Sequence, residues 1–139
     1  MKLSVKSDYA TRAVLSLARS YAKGGVTRVE DVAREHGIPA NYLVQIMIEL
    51  KSKRIVRSQR GKEGGYSLAQ PPEKITFGDV LRAVHGGILE TPALDDPQCP
   101  PETRAAWLRL REAAETAADS LNFQQLIEQA EEKQKMYYI

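Results

Sequence analysis

Two sets of side chains in this chain have the types and spacing needed to hold a nucleic-acid duplex. The first is a run of six cations, Lys51, Lys53, Arg54, Arg57, Arg60 and Lys62, with no Asp or Glu among residues 51–62. Cations this dense neutralise phosphates and release condensed counterions, a sequence-independent source of affinity for a polyanion. The second is the stripe Asn41, Val44, Gln45 and Ile48, spaced three and four residues apart directly upstream. Side-chain amides can read adenine edges and aliphatic groups can pack on thymine methyls, so such a face suits a major groove better than bulk water. An enzyme is not expected. The sequence shows no Ser/His/Asp set and no paired carboxylates in a pocket-like context. Gly61-Lys-Glu-Gly-Gly65 lacks the strand-before, helix-after context and the Gly-Lys-Ser/Thr ending of a phosphate-binding loop.

The elements that must position these residues follow from periodicity. Residues 7–22 read as a helix with Ala10, Ala13, Val14, Leu17, Ala18 and Tyr21 on one stripe, Ser7 as N-cap and Gly24-Gly25 as terminator. Thr27 is placed to cap a second helix, with Glu30 completing a capping box and Gly37 ending it. A third helix is expected over 40–52, with Pro39 near its start and Leu43, Ile46, Met47 and Leu50 inward. Residues 54–58 read as a strand and residues 66–69 as its antiparallel return. The glycines of the turn between them allow positive φ and a close backbone approach to a phosphate. Two short helices, a basic strand, a glycine turn and a return strand make a winged helix. Thr76 then caps a helix over 77–84, and Gly86-Gly87 ends it. Residues 87–101, rich in proline and with adjacent aspartates, read as a mobile loop carrying Cys99. The longest helical segment runs from Glu102 to about Leu121, with a narrow stripe of Ala106, Leu110, Ala113, Ala114, Ala117 and Leu121. Small residues at that spacing let two helices approach closely, and so long a helix late in a small domain needs a partner surface.

The totals agree with this division. At 139 residues the chain is one domain, or one domain with an appendage. Residues 1–74 carry 14 Lys/Arg against 7 Asp/Glu, net +7, whereas residues 75–139 carry 6 against 11, net −5. Only the first half is thus expected to meet a polyanion. No apolar run approaches the ~20 residues of a membrane span, and the N-terminus lacks a signal-peptide apolar core, so a cytoplasmic location is expected. The single cysteine, Cys99, excludes an internal disulfide and a multi-cysteine metal site supplied by one chain.

The pattern resembles the Rrf-two family of bacterial transcription regulators, which includes the IscR, NsrR and CymR types. The residues that carry it are Met1-Lys-Leu-Ser with Lys6 and Tyr9-Ala10, Ile38-Pro39 with Tyr42-Leu43 and Gln45, then Leu50 and Val56. Arg60-Gly61, Gly64-Gly65-Tyr66, Leu68-Ala69, and Ile75 with Gly78-Asp79-Val80 and Ala83-Val84 complete it, with Trp107 and the Leu126-containing last helix also fitting. The resemblance spans about residues 1–130. It implies a mainly α fold with a small β-wing, that is, a winged helix-turn-helix domain plus a long C-terminal dimerisation helix. In this chain that means a DNA-binding domain over 1–84 (helix-turn-helix about 28–52, wing about 54–69), a sensor or effector loop over 85–101, and a dimerisation helix and tail over 102–139. It also implies a homodimer through residues 102–121, with Arg60 reaching into the minor groove beside a third helix seated in the major groove. The expected double-stranded DNA contacts are Asn41, Tyr42, Val44, Gln45, Ile48, Lys51, Arg57, Arg60, Gly64, Gly65 and Tyr66. A palindromic operator follows from that two-fold symmetry, and a repressor is expected because repression is the more frequent mode for a small dimer with no separate activation surface.

The chain also departs from that pattern. Cluster-binding members carry three cysteines in the loop before the long helix, and this loop holds Cys99 alone. Pro101 and Arg104 stand where the last cysteine and a following histidine would fall. No cofactor, and no iron–sulfur cluster, is therefore expected. Asp8 matches a carboxylate ligand of some nitric-oxide-sensing members and, with Cys99, is the remaining candidate for an atypical metal site. Otherwise it is an acid favoured by the helix dipole. Cys99 is the candidate sensor of a redox signal. The other expected inputs are a small-molecule effector or a partner enzyme. The alternative reading is a winged-helix interaction module acting mainly through a complex with a metabolic enzyme.

Overall fold

The computed structural model describes residues 3–137. Met1-Lys2 of the start motif and Tyr138-Ile139 of the tail lie outside the described residues. In chain order the elements are α1 (Val5–Tyr21), α2 (Val29–His36), α3 (Ala40–Ser52), β1 (Val56–Gln59), β2 (Gly65–Leu68), α4 (Phe77–His85), α5 (Pro101–Asp119) and α6 (Phe123–Tyr137). Short 3-10 turns stand at Pro72–Lys74 and Pro92–Asp95.

The core is built where the apolar stripes of α1, α3 and α4 meet. Ala10, Ala13 and Val14 of α1, the four inward residues of α3 (Leu43, Ile46, Met47, Leu50) and Val80 of α4 are all fully buried. Phe123 of α6 closes this core and stacks on Phe77 with ring centroids 5.9 Å apart.

Local signals hold where no distant segment competes. Thr76 and Asp79 form a reciprocal capping box, each side chain taking the other's backbone N–H at 3.0 Å. The α1 cap is Ser4, not Ser7: the Ser4 hydroxyl accepts from the Ser7 N–H, and Ser7 itself is buried one turn inside the helix. Thr27 does not cap α2 either. It is extended and exchanges two backbone hydrogen bonds of 2.8 Å with Tyr66, a one-residue antiparallel bridge on the side of β2 away from β1. Arg28 takes the N-cap position without a side-chain cap. A sheet pairing that satisfies two backbone groups outweighs a single hydroxyl cap.

The hairpin pairs Val56 with Leu68, Arg57 with Ser67, Ser58 with Tyr66 and Gln59 with Gly65. Val56 is buried and the next three residues of β1 are exposed, so the strand leaves the core as it advances. Strand pairing starts at Val56 rather than Arg54, because Arg54 occupies a helix-ending turn with φ +62°.

The C-terminal part differs most from the sequence expectation. α5 ends at Asp119, and Leu121 lies beyond it. Its one buried residue is Ala118, which is not on the expected stripe. Phe77 N–H donates to the Leu121 carbonyl at 2.7 Å and Phe123 N–H to that of Ile75 at 3.1 Å. This antiparallel crossing stops the helix and delivers Phe123 to the core. The segment before α5 is more ordered than a mobile loop: Thr91 caps the Pro92–Asp95 turn and Leu89 is buried.

Candidate nucleic-acid interface

α3 is held on one side by four fully buried apolar residues, which leaves its other side free to face a ligand. Asn41, Val44, Gln45 and Ile48 all lie on that outer side and are exposed, Val44 to 38% and Ile48 to 51%. The Asn41 side-chain oxygen accepts the Tyr42 N–H at 3.0 Å, which leaves its amide N–H groups for other partners. Tyr42 is exposed and stands edge-on to Tyr9 of α1 at 5.8 Å. Lys6 of α1 reaches Glu49 at 2.6 Å and fixes α3 from the flank. This tie has no signal in the local sequence, since the partners lie 43 positions apart.

The end of α3 leads into the basic hairpin through a turn that periodicity cannot reveal. Arg54 N–H donates to the Lys51 carbonyl and Ile55 N–H to that of Leu50, both at 3.0 Å. These are the two bonds of a Schellman motif, whose left-handed residue is usually glycine. Here that position is Arg54, at a cost of roughly 1–2 kcal/mol relative to glycine. A long cation is thus carried where local stability favours no side chain. Lys51 Nζ donates to Ser58 Oγ at 2.8 Å and joins the helix end to β1.

Ion pairing distinguishes this surface from most of the basic half, where Lys23 and Lys74 are the other cations with no ion pair among the described residues. Lys6, Arg12, Arg19, Arg28 and Arg34 each meet a carboxylate. None of Lys51, Lys53, Arg54, Arg57, Arg60 and Lys62 makes an ion pair among the described residues, and all six are exposed. Arg57 lies on β1 and Arg60 in the turn that follows.

The wing glycines serve the hairpin itself. A Cβ at Gly64 would stand 2.2 Å from the Gln59 carbonyl oxygen, and one at Gly65 2.5 Å from that of Thr27. Both are half-buried, as is Tyr66, whose ring packs against the core.

The remaining singled-out residues stand elsewhere. The Cys99 thiol lies 3.2 Å from Thr103 Oγ1 just before α5. Asp8 is on α1, engaged with Arg12 at 2.8 Å and 3.0 Å. His36 meets Ser16 at 2.6 Å and His85 meets Ser4 at 2.9 Å, both structural contacts. Trp107 is not a core residue within one chain, being 37% exposed on α5. A cleft of about 860 Å³ lies between the end of α1, Pro71–Glu73 and α6, and shares no lining residue with α3 or the wing.

A polar joint that the sequence does not announce links α4 to α5. Arg82 meets Asp119, and hydrogen bonding to that carboxylate is the main reason its pKa is raised above the usual arginine value.

Comparison with known proteins bears on this geometry. A family model described as Rrf2, iron-dependent transcriptional regulator, matches residues 3–129. The HTH-type transcriptional regulator CymR of Bacillus subtilis is 31% identical over 137 residues, covering 99% of this chain and 97% of that protein. A Mycobacterium tuberculosis protein of the same HTH-type description, Rv1287, is 46% identical over 86 residues, 62% of this chain and 53% of its own length. The chain thus spans about half the length of that relative. The structure of T. potens IscR superposes with a TM-score of 0.81 at 30% identity, over 99% of this chain and 97% of the other. As to iron, no group of three or more His, Cys, Asp or Glu side chains among the described residues is placed to hold a metal ion. One thiol per chain supplies too few of the thiolate or imidazole ligands that an iron–sulfur cluster requires, so the donor set does not fit a conventional cluster.

Proposed function

The chain belongs to the Rrf2 family of bacterial transcriptional regulators, and from that premise we propose that it is a cluster-independent repressor that binds a palindromic operator as a homodimer. Each copy lays α3 in a major groove, with Asn41, Val44, Gln45 and Ile48 against base edges. Lys51, Lys53, Arg54 and Arg57 meet phosphates, and Arg60 enters the adjacent minor groove. The observation that carries this reading is the contrast in ion pairing: the six cations from the end of α3 through the wing have no carboxylate partner among the described residues, whereas those named above on α1 and on or just before α2 do. Unpaired cations beside a rigid helix face are what a polyanion with readable edges requires.

Dimerisation through α5 is supported by its exposed apolar side chains, Trp107, Leu108 and Leu110, which are 37–49% exposed in the single chain. The signal enters outside the DNA-reading face, in the segment from His85 to Arg104 that holds Cys99.

The test is fluorescence-anisotropy titration of a duplex from the upstream region of the chain's own gene, run over a salt series. The expected result is specific binding whose logarithmic salt slope is about 0.9 per phosphate neutralised. Salt-insensitive binding, or none alongside co-purification of an enzyme, would replace this reading with the interaction-module alternative.

A further inference from the structure

The C-terminal end of α5 is seated in a polar pocket whose geometry exceeds what a cap needs. Asp119 Oδ1 receives Arg82 of α4 at 2.5 Å and the Thr76 hydroxyl at 3.4 Å. An acid at a helix C-terminus is opposed by the helix dipole, and Arg82 offsets this while also meeting Asp79 at 3.5 Å. Gly78 makes the seat fit. It is buried within α4, and a Cβ there would stand 2.0 Å from Asp119 Oδ1. Glycine weakens a helix relative to alanine, and the close approach of Asp119 accounts for one at this position.

α5 has little buried surface to fix its direction: Ala118 is its one buried residue, and within the chain it packs along a half-buried side, against α4 and the Pro92–Asp95 turn. α4, by contrast, packs against α1, α3 and α5 and so connects the end of α5 to the helix carrying Asn41 and Gln45. We propose that Gly78, Arg82 and Asp119 form a positioning joint. The joint sets the angle at which α5 leaves the DNA-reading body, and hence the separation at which two copies present their α3 helices. This rests on the dimeric DNA-binding reading above. The lever is long: nineteen residues span about 28 Å, so a tilt of about 10° at the joint moves the far end about 5 Å, more than the rise of one base pair.

The experiment uses the full chain and its selected operator, with the spacer between half-sites lengthened and shortened by one and two base pairs. Asp119→Asn, Arg82→Gln and Gly78→Ala are compared with the unsubstituted protein. Circular dichroism and sedimentation confirm fold and dimer in each, and Asp119→Asn changes a side chain that is 45% exposed, outside the core. The unsubstituted protein should favour one spacing by about tenfold or more over a two-base-pair change. The variants should lose that preference to within about threefold while binding an isolated half-site unchanged. Should Gly78→Ala fail to fold, the other two variants decide. Wild-type spacing preference in the variants overturns the joint alone. An unsubstituted protein with no spacing preference overturns the dimeric reading and the joint with it.

Discussion

α3 and α5 both display apolar side chains to solvent, but they are supported in opposite ways. α3, of 13 residues, is anchored along its length by Leu43, Ile46, Met47 and Leu50, all fully buried. Its exposed Val44 and Ile48 therefore sit on a rigid platform. α5, of 19 residues, has one buried residue and packs lightly on α4 and the Pro92–Asp95 turn: Arg104 donates to the Asp96 carbonyl near its start and Asp119 meets Arg82 at its finish. A helix packed by its own domain can offer its outer face to a ligand in fixed geometry. A helix with so little buried surface acquires the rest of its packing from outside, and the polar contact at its finish bears on its direction.

The comparison can be broken from either side. The largest effect should come from the packed side: Phe123→Ala empties a fully buried site and should destabilise the fold by about 3–5 kcal/mol, read from urea unfolding. On the open side, Leu110→Asp at a 49% exposed position should leave far-UV circular dichroism unchanged. It should weaken dimerisation by about 2–4 kcal/mol, measured by sedimentation equilibrium. Loss of fold there would mean that α5 is already part of the monomer core. For the reading surface, Arg60→Ala should cost about 1–3 kcal/mol of operator affinity with little change in stability. Intact affinity would remove the wing from the interface.

Arg54→Gly sharpens the contrast, because it relieves the left-handed residue that ends α3. Stability should rise by about 1 kcal/mol while operator affinity falls. A rise in both would show that Arg54 makes no phosphate contact. The smallest effect belongs to Lys53→Gln, which should lower the salt slope by about 0.9 per subunit, about 1.8 on the full operator, and weaken specific and non-specific duplexes alike. A sequence-selective loss would instead place Lys53 at a base edge.

The exposed outer face of α3 and the basic run beyond it, the candidate interface, were legible in the sequence because they depend on short-range order. The three- and four-residue periods of α3 separate Leu43 and Ile46 from Asn41 and Val44 whatever the rest of the chain does. The acid-free basic run and the wing glycines are likewise visible by inspection. Two of the departures share one cause. The neighbours of Thr27 and Leu121 point to a cap and a continuing helix, whereas the Ser7 cap is displaced locally, by Ser4 three residues upstream. In the folded chain Thr27 is taken by Tyr66, 39 positions away, and the chain after Asp119 is taken by residues 75–77. The purpose of Gly64 was also only half visible. The turn was evident, but the closeness of its backbone to Gln59 was not.

By itself, then, the amino-acid sequence determined the succession of helices, the inward and outward faces of α3, and the concentration of positive charge on the hairpin. These follow from residue spacing and type, which act over a few positions. Tertiary structure alone decided which cations stay without carboxylate partners, which residue carries the left-handed turn after α3, and how α5 is attached. Each depends on groups far apart in the chain arriving at one point. Arg82 and Asp119 are 37 positions apart, and no local pattern encodes the seat that Gly78 leaves between them.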